Sequence, residues 1–297
     1  MNRAACLMEI IRTVEWMKQV SRQARAEGRL VGFVPTMGAL HGGHVSLVRA
    51  AQRDCSPVVV SIFVNPTQFG PREDFAKYPR AFAADSALLG SLGVEYLFAP
   101  EAAEIYPPGC SSHVEVDGLG SRLEGRSRPG HFRGVATVVL KLLEIVQPWR
   151  AYFGRKDAQQ ARIVQQVVRD FHLDAQIEVC PIVREADGLA LSSRNTYLSA
   201  EDRGAATVLY RALRAAQAAI EHGERNTANL AAAMRAVIAK EPLAAADYVE
   251  VVRADTFEPL AQLHGECYAL LAVFFGAARL LDNMLIVETD GRFRCEI

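Results

Sequence analysis

Residues 30–44 read LVGFVPTMGALHGGH, and this stretch decides how the chain folds. The apolar run at residues 30–34 predicts a buried strand, and the amphipathic run at residues 45–55 predicts a helix. A buried strand that leads through a short glycine-bearing loop into a helix is typical of an α/β fold. His41 and His44 stand three residues apart at the start of that helix, so their side chains share one face.

The start of the predicted helix is suited to bind an anion. Its first N–H groups have no partner within the helix and lie at the positive end of the helix dipole. Gly42 and Gly43 lack a Cβ, so a ligand can approach the backbone closely. These features indicate a phosphate site with two imidazole donors. His-x-Gly-His resembles the signature of enzymes that transfer a nucleotidyl group from a nucleoside triphosphate, and the alternative is a chance spacing of two ordinary histidines.

The composition narrows the class of protein. A chain of 297 residues, of which 50% are hydrophobic, can form one large or two ordinary domains. The formal net charge of -1 argues against a dedicated nucleic-acid binder. Since no apolar run approaches the ~20 residues that span a bilayer, and charges interrupt the N-terminal stretch, we expect no membrane segment and no secretory signal. The 6 cysteines are scattered, without metal-ligand or redox spacing, which favours a reduced, cytoplasmic setting.

The first 180 or so residues alternate between strand and helix patterns. Alternation of this kind predicts a Rossmann-like parallel sheet with helices on both faces. Ligands of such sheets bind beyond the carboxyl ends of the strands, where the informative loops of this chain lie. Strands are predicted at 30–34, 58–64, 94–98, 151–153 and 176–179, and helices near 44–55, 81–91, 133–146 and 157–171.

The pattern changes after about residue 183. Residues 199–202 resemble a capping box that opens a helix, and alanine-rich helical segments continue to about residue 240. Helices followed by strands, here predicted at 247–253, 267–275 and 279–287, indicate a smaller α+β domain. We place the boundary in the loop at 181–187, with a Rossmann-like domain at 1–183 and an α+β domain at 184–297.

Amide side chains follow the second predicted strand. Asn65 and Gln68 lie within the stretch NPTQF, at the expected carboxyl edge of the sheet. An amide both donates and accepts, which suits a ligand that carries hydroxyl and carboxylate groups. An Asn-Pro turn with a local hydrogen bond explains the same residues.

Further stretches allow a functional and a plain structural interpretation. RPGHFRG, residues 128–134, is either a second anion site at a helix start or a basic turn facing solvent. In GRKDAQQ, residues 154–160, Asp157 and Gln160 are either substrate contacts or a capping box. In LSSRN, residues 191–195, two hydroxyls and a guanidinium form either a triphosphate clamp or a solvated loop. The segment at 100–129 is long for a loop, so we expect it to form a lid or to carry minor elements.

Taken together, these stretches form an ordered series. PTMGALHGGH, SIFVNPTQF, YPR, RPGHFRGV, GRKDAQQ and VREADGLALSSRN follow one another through the first 200 or so residues, and GAARLLDN stands at 276–283. In this combination the chain resembles the pantothenate synthetases, also called pantoate–β-alanine ligases. Sibling families share His-x-Gly-His but not the other stretches.

The resemblance implies an activity. We expect an ATP-dependent condensation of (R)-pantoate with β-alanine through pantoyl adenylate, which gives pantothenate, AMP and pyrophosphate on the way to coenzyme A. Dependence on Mg²⁺ and a cytoplasmic homodimer are also implied, and we expect the smaller domain to act as a lid. A rival hypothesis is another nucleotidylyltransferase that acts on a phosphorylated acceptor and needs an extra basic cluster. The formal net charge of -1 does not support a fragment of an aminoacyl-tRNA synthetase, which would bind RNA. A catalytically silent regulator that only binds ATP could have lost His44, Lys156 or Arg194, but all three are present.

The resemblance also assigns site residues. His44 matches the family's proton donor, and Gln68 and Gln160 match the glutamines that hold pantoate, with Gln68 also near β-alanine. Charge in the adenylation step is expected to be stabilised by His41, His44, Lys156 and Arg194. Contacts to ATP are expected from Met37, Gly38, Ala39, Leu40, His41, Gly42, Gly43, His44, Gly154, Arg155, Lys156, Asp157, Val183, Leu191, Ser192, Ser193 and Arg194.

Two positions depart from the family pattern. Arg155 stands where the family often has Glu, and Leu191 stands where it alternates Met and Leu. We expect Arg155 to contribute mainly backbone, although its charge could alter the affinity for ATP. No protein ligand is assigned to Mg²⁺; Asp85, which follows the YPR stretch, is a weak candidate. No base is assigned for the step in which the amine reacts.

Overall fold

The computed structural model describes residues 8–71, 73 and 75–297, and these fold into two compact units. The first unit takes the described chain up to Arg155 together with Gln159–Pro181, and the second takes Lys156–Ala158 together with Ile182–Ile297. The predicted boundary at 183/184 lies close to this division. The short segment Lys156–Ala158 belongs to the second unit, which the sequence did not indicate.

A six-stranded parallel sheet organises the first unit, and this confirms the predicted fold class. The strand order is β1-β4-β3-β2-β5-β6, and every neighbouring pair is parallel. The inner strands of this sheet are buried on both faces, so their sequences are mostly apolar runs. The edge strand Gln176–Cys180 instead alternates exposed and half-buried residues. The strands are β1 (Glu9–Ile11), β2 (Gly32–Thr36), β3 (Val58–Ile62), β4 (Tyr96–Phe98), β5 (Arg150–Gly154) and β6 (Gln176–Cys180).

The strand order reverses at β2, since β3 and β4 follow on one side and β5 and β6 on the other. Right-handed crossovers in both directions place the connecting helices on the two faces of the sheet. A reversal of this kind leaves a crevice beyond the carboxyl ends of the strands that flank it, here β2 and β5. The helices are α1 (Val14–Ala26), α2 (Gly42–Asp54), α3 (Phe82–Ser91), α4 (Ala102–Ile105), α5 (Glu124–Ser127), α6 (His131–Val146) and α7 (Ala158–Asp170).

The predicted elements of this unit are present, with ends shifted by a few residues. Outside the segment at 100–129, two elements were not predicted. The strand β1 has only three residues, too few to show a period. The helix α1 is mostly polar, and its buried residues Met17, Ser21 and Ala24 recur at helical spacing, a pattern that the prediction overlooked.

The second unit pairs helices with a four-stranded antiparallel sheet in the order β10-β9-β8-β7, which confirms the predicted α+β class. Ser199 opens its first helix as predicted, because the Ser199 Oγ accepts the N–H of Asp202 at 3.0 Å. Leu209 and Leu213 pack with Leu271 of the sheet in one buried cluster. The elements are α8 (Ala200–Ala205), α9 (Val208–Glu221), α10 (Thr227–Ile238), β7 (Ala244–Arg253), β8 (Glu266–Phe275), β9 (Ala278–Thr289) and β10 (Arg292–Glu296). The last strand was not predicted, since it has no buried residue to mark one face.

Within the described residues no helix has the length and apolar character needed to cross a bilayer. The five cysteines of this part of the chain carry free thiols. Burial raises the pKa of Cys180 and of Cys295 to about 11, so these two thiols stay protonated and unreactive near neutral pH.

Candidate active site

Side chains of β2 and α3 hold the loop between β2 and α2 in place. Thr36 ends β2, donates its hydroxyl to the Ser61 carbonyl at 2.7 Å and accepts the Gly38 N–H at 3.1 Å. Asp85 of α3 is buried, and its two carboxylate oxygens accept the N–H groups of Ala39 and Leu40 at 2.9 and 2.8 Å. Ala39 has a φ of 51°, a left-handed conformation that is costly for a residue with a Cβ. The Asp85 carboxylate therefore stabilises a strained loop.

Asp85 thus does not suit the role of a Mg²⁺ ligand that the sequence left open for it. Both of its oxygens are engaged with backbone donors. In the described part of the chain, no group of three or more His, Cys, Asp or Glu side chains could hold a metal ion. The described residues therefore offer the ion no cage of such side chains.

His41 and His44 cap the start of α2 reciprocally. The Nδ1 of His41 accepts the Gly43 N–H at 3.1 Å, and the Nδ1 of His44 accepts the His41 N–H at 3.3 Å. The ring centroids lie 4.2 Å apart, which confirms that the two imidazoles share one face. Since each Nδ1 is an acceptor, the proton of each neutral ring sits on Nε2. Both rings are therefore Nε2–H donors.

The same contacts correct one expectation about this helix start. The backbone N–H groups of His41 and Gly43 are engaged by imidazole nitrogens and so are not offered to an anion. Gly43 is required for this arrangement, because a Cβ there would lie 2.9 Å from the His41 Cε1 atom. The glycine admits the imidazole ring of His41 against the backbone.

The amides after β3 lie next to the β2–α2 loop. Gln68 is buried; its Oε1 accepts from the Asn65 Nδ2 at 3.0 Å, and its Nε2 lies 3.1 Å from the Met37 Sδ. Asn65 in turn donates to the Gly134 carbonyl at 3.1 Å and accepts the Tyr106 hydroxyl at 2.9 Å. The structure thus brings Met37 and Gln68, from the ends of neighbouring strands, into contact. The Asn65 side chain also accepts the Thr67 N–H, so the local turn is present together with this longer-range role.

The RPGHFRG stretch supports the Gln68 backbone. His131 is buried and donates its Nδ1–H to the Gln68 carbonyl at 2.9 Å. The Arg128 guanidinium lies 3.0 Å from the His131 Nε2 and pairs with Glu73 at 2.6 Å. Desolvation, then the Arg128 charge, lowers the pKa of His131 to about 4, so the ring is neutral at pH 7. Arg128 and His131 thus support the Gln68 turn, whereas Arg133 of the same stretch is exposed, as the solvent-facing interpretation expects.

Gly134 allows the start of α6 to lie directly on this turn. A Cβ at Gly134 would overlap the Thr67 carbonyl oxygen and lie 2.6 Å from the Gln68 Cα. These are backbone atoms, which cannot swing aside as a flexible side chain can. The glycine is therefore required by the close approach of two backbones.

The segment at 100–129 carries short helices and is tied to the rest of the first unit. Gln159 is buried and donates to the carbonyls of Leu119 and Arg122 at 2.7 and 2.9 Å, while its Oε1 accepts the Glu124 N–H at 3.2 Å. Tyr106 supplies the hydroxyl that holds Asn65. Through Tyr106 the segment supports the Gln68 turn, a role that the sequence did not show.

Residues 154–160 pass from β5 into α7. A 3-10 turn at Arg155–Asp157 is followed directly by α7, so Asp157 precedes the helix as its capping interpretation requires. Arg155 is buried, at 7% exposed, whereas Lys156 is half-buried and Asp157 is exposed. Gln160 is half-buried in the first turn of α7. The capping and substrate-binding interpretations of Asp157 and Gln160 both stay open.

The predicted triphosphate clamp lies wholly in the second unit and is locally ordered. The Leu191 N–H donates to the Val183 carbonyl at 2.9 Å, which joins two of the segments assigned to ATP. Ser192 caps a 3-10 turn at Ser193–Tyr197 by accepting the Arg194 N–H at 3.3 Å. The side chains of residues 191–194 are half-buried rather than fully solvated.

Two buried polar residues of β9, for which no role was predicted, anchor this part of the second unit. Asp282 binds the Arg184 guanidinium through both oxygens, at 2.7 and 2.9 Å. Asn283 donates its Nδ2 to the Lys156 carbonyl at 2.9 Å. The signal in the sequence is the pair Asp-Asn inside the otherwise apolar run at 280–287.

Known proteins resemble this chain over nearly its full length. The family model described as pantoate-beta-alanine ligase matches residues 9–285. A pantothenate synthetase of Acidobacterium capsulatum is 52% identical over 99% of this chain and 100% of its own length. One of Chloroflexus aurantiacus is 54% identical over 91% of this chain and 96% of its own.

Solved structures agree with these matches. The crystal structure of pantothenate synthetase from Thermus thermophilus has a TM-score of 0.88 and 45% identity, and covers 93% of this chain and 98% of that one. A pantoate-beta-alanine ligase from Francisella tularensis, complexed with beta-gamma ATP and beta-alanine, has a TM-score of 0.77 and 37% identity, and covers 94% and 97%. With a matching family model, full-length relatives above 50% identity and a shared fold, this chain belongs to the pantoate–β-alanine ligase family.

Proposed function

We propose that this chain condenses (R)-pantoate with β-alanine in two steps, with pantoyl adenylate between them and AMP and pyrophosphate as the other products. The observation that carries the proposal is the reciprocal cap of His41 and His44, which makes both imidazoles Nε2–H donors beyond the carboxyl end of β2. Membership of the family supports the identity of the two organic substrates. The chemistry follows from what these side chains can donate.

In the first step, a carboxylate oxygen of pantoate attacks the α-phosphorus of ATP, and the bond from that phosphorus to pyrophosphate breaks. The carboxylate is ionised at pH 7 and needs no base. The barrier is electrostatic, because negative charge approaches the phosphates and more charge develops on the leaving group. We assign its stabilisation to the Nε2–H donors of His41 and His44 and to the cations of Lys156 and Arg194.

Gln68 is suited to hold pantoate. Its Oε1 is fixed by the Asn65 amide, while its Nε2 faces the Met37 sulfur, which is a weak acceptor. A substrate hydroxyl or carboxylate can replace the sulfur at little cost and gain a better hydrogen bond. We assign Gln160 the second pantoate contact, on the resemblance alone.

In the second step the neutral amine of β-alanine attacks the acyl carbon of the adenylate, and AMP leaves with the bonding pair. The amine loses a proton, for which we assign no protein base. The mixed anhydride would hydrolyse in water, so its protection is the role proposed for the 184–297 domain as a lid.

Three further properties are proposed from the resemblance. The enzyme uses Mg²⁺ with ATP, and because the described residues offer no cage for the ion, we derive no step through it. It works as a homodimer. It is located in the cytoplasm, which the free thiols of the described cysteines support.

The rival hypothesis, a nucleotidylyltransferase for a phosphorylated acceptor, is not favoured. The first relatives match over nearly their full length and are pantothenate synthetases. The buried amide Gln68, moreover, suits an uncharged hydroxyl or a carboxylate rather than the dianion of a phosphate ester.

Exchange of label between pyrophosphate and ATP tests the proposal. The adenylation step is reversible on the enzyme, so labelled pyrophosphate should enter ATP when pantoate is present and β-alanine is absent. Exchange that proceeds equally well without pantoate, or fails with it, would contradict the proposed intermediate.

A further inference from the structure

The GAARLLDN stretch ends in two polar residues that the proposed reaction does not use. Asp282 is 2% exposed and Asn283 is 0% exposed, in the middle of β9. Burying a carboxylate and an amide is costly unless partners compensate. What these two side chains bind therefore identifies what they are for.

Their partners are two segments that are distant in sequence. Neighbouring side chains of a strand point to opposite faces, so Asp282 and Asn283 can serve different partners. Asp282 fixes Arg184, whose guanidinium also donates to the Gly188 carbonyl at 2.9 Å, at the base of the loop that leads to residues 191–194. Asn283 donates to the carbonyl of Lys156, 127 positions away in sequence.

We infer that Asn283 is a positioning residue for Lys156, acting through the hydrogen bond from its side-chain amide to the Lys156 carbonyl. The inference rests on the proposed function, in which Lys156 stabilises phosphate charge. It agrees with the place of Lys156–Ala158 in the second unit, although the chain on either side belongs to the first. One strand thereby fixes both the lysine and the loop that carries Arg194.

The side chain of Lys156 makes this anchoring important. A lysine side chain is flexible and binds phosphate as a point charge, so its backbone must fix where the ammonium can reach. Displacement of a charged group by about 1 Å can cost on the order of 10²-fold in rate. Loss of the Asn283 amide should therefore weaken the function of Lys156 without removing its charge.

A double-mutant cycle tests the inference. The variants are Asn283→Ala, Lys156→Ala and the two together, measured by pantoate-dependent exchange and by the dissociation constant of ATP, which stays measurable when turnover is lost. We expect Asn283→Ala alone to slow exchange about 10-fold or more and to weaken ATP binding. In the Lys156→Ala background the same change should alter ATP binding less than about 2-fold.

Thr227→Val is the matched control. Thr227 is also buried in the second unit and donates its hydroxyl to a backbone carbonyl, that of Leu260. It should lower the melting temperature as Asn283→Ala does but leave exchange and ATP binding unchanged. Additive effects of Asn283→Ala and Lys156→Ala, or equal effects of the control, would overturn the inference.

Two arrangements keep the test decisive. Should Asn283→Ala not fold, Asn283→Ser, which keeps a hydroxyl donor, takes its place in the cycle with the same expected non-additivity. Should the wild-type protein show no pantoate-dependent exchange, the proposed function fails, while the coupling between Asn283 and Lys156 is still read from the ATP dissociation constants.

Discussion

At the scale of single residues, His41 and His44 each combine two tasks on one ring. The Nδ1 atoms complete the helix cap, and this fixes the proton on Nε2, where a donor is needed. The three-residue spacing predicts that the rings share a face. It does not predict the tautomer, because that depends on which backbone donors the folded loop presents.

The substitution His44→Ala should impair catalysis strongly while the protein still folds. We expect pantoate-dependent exchange to fall by about 10²-fold or more, the scale of one lost donor to developing charge. Loss of the cap should lower stability by only about 1 kcal/mol. His44→Asn, which keeps a short side-chain acceptor, should recover the melting temperature but not the exchange. Exchange near the wild-type rate in His44→Ala would remove His44 from the mechanism.

The substitution Gly134→Ala should weaken the binding of pantoate. Its added Cβ meets the backbone of Thr67 and Gln68, so the Gln68 turn has to move. We expect the KM for pantoate to rise about 10-fold or more, with a smaller change in the KM for ATP. Gly90→Ala is the control, because no atom lies within 4 Å of the added Cβ there. Equal changes in both KM values would argue against a specific effect on the pantoate side.

At the scale of elements, the site depends on contacts between segments far apart in sequence. His131 reaches Gln68 across 63 positions, and Asp85 reaches Ala39 across 46. No local pattern in a single sequence encodes such pairs. The strands and helices follow from apolar periodicity, whereas the residues that support the site were seen only in the folded structure.

The buried imidazole of His131 should make stability depend on pH. Its pKa is lowered from 6.5 to about 4, so between these values the unfolded chain binds a proton that the folded chain does not. The contribution of His131 to the free energy of unfolding is therefore complete above pH 6.5 and is lost as the pH falls toward 4. His131→Asn keeps a donor for the Gln68 carbonyl but does not titrate there. Its melting temperature should fall less between pH 7 and 5 than that of the wild type, and parallel curves would contradict the assignment.

Asp85→Asn tests the support of the β2–α2 loop by α3. The amide keeps the size of the side chain but only one acceptor, so one of the N–H groups of Ala39 and Leu40 loses its partner. We expect exchange to slow about 10-fold through a misplaced loop. Additional Mg²⁺ should not restore it; restoration by Mg²⁺ would show that Asp85 is a metal ligand after all. The exposed Asp170→Asn is the control.

At the scale of the whole molecule, the sequence predicts the two kinds of sheet and the order of the active-site segments along the chain. It does not predict that Lys156–Ala158 belongs with the second unit, because a single hydrogen bond from Asn283 has no counterpart in local composition. It also misses the short edge strands β1 and β10, which bury too little apolar surface to leave a periodic signal. The helix α1 was overlooked because it is mostly polar, although its few buried residues recur at helical spacing.

Release of AMP, with one substrate omitted at a time, is the decisive test of whether this enzyme joins pantoate to β-alanine through an adenylate. The protein is incubated with ATP, Mg²⁺, (R)-pantoate and β-alanine, and AMP and pantothenate are measured in each mixture. Sustained release of AMP should require both organic substrates and match pantothenate in amount. Sustained release of AMP without pantoate or without β-alanine, or its absence from the complete mixture, would contradict the proposed reaction.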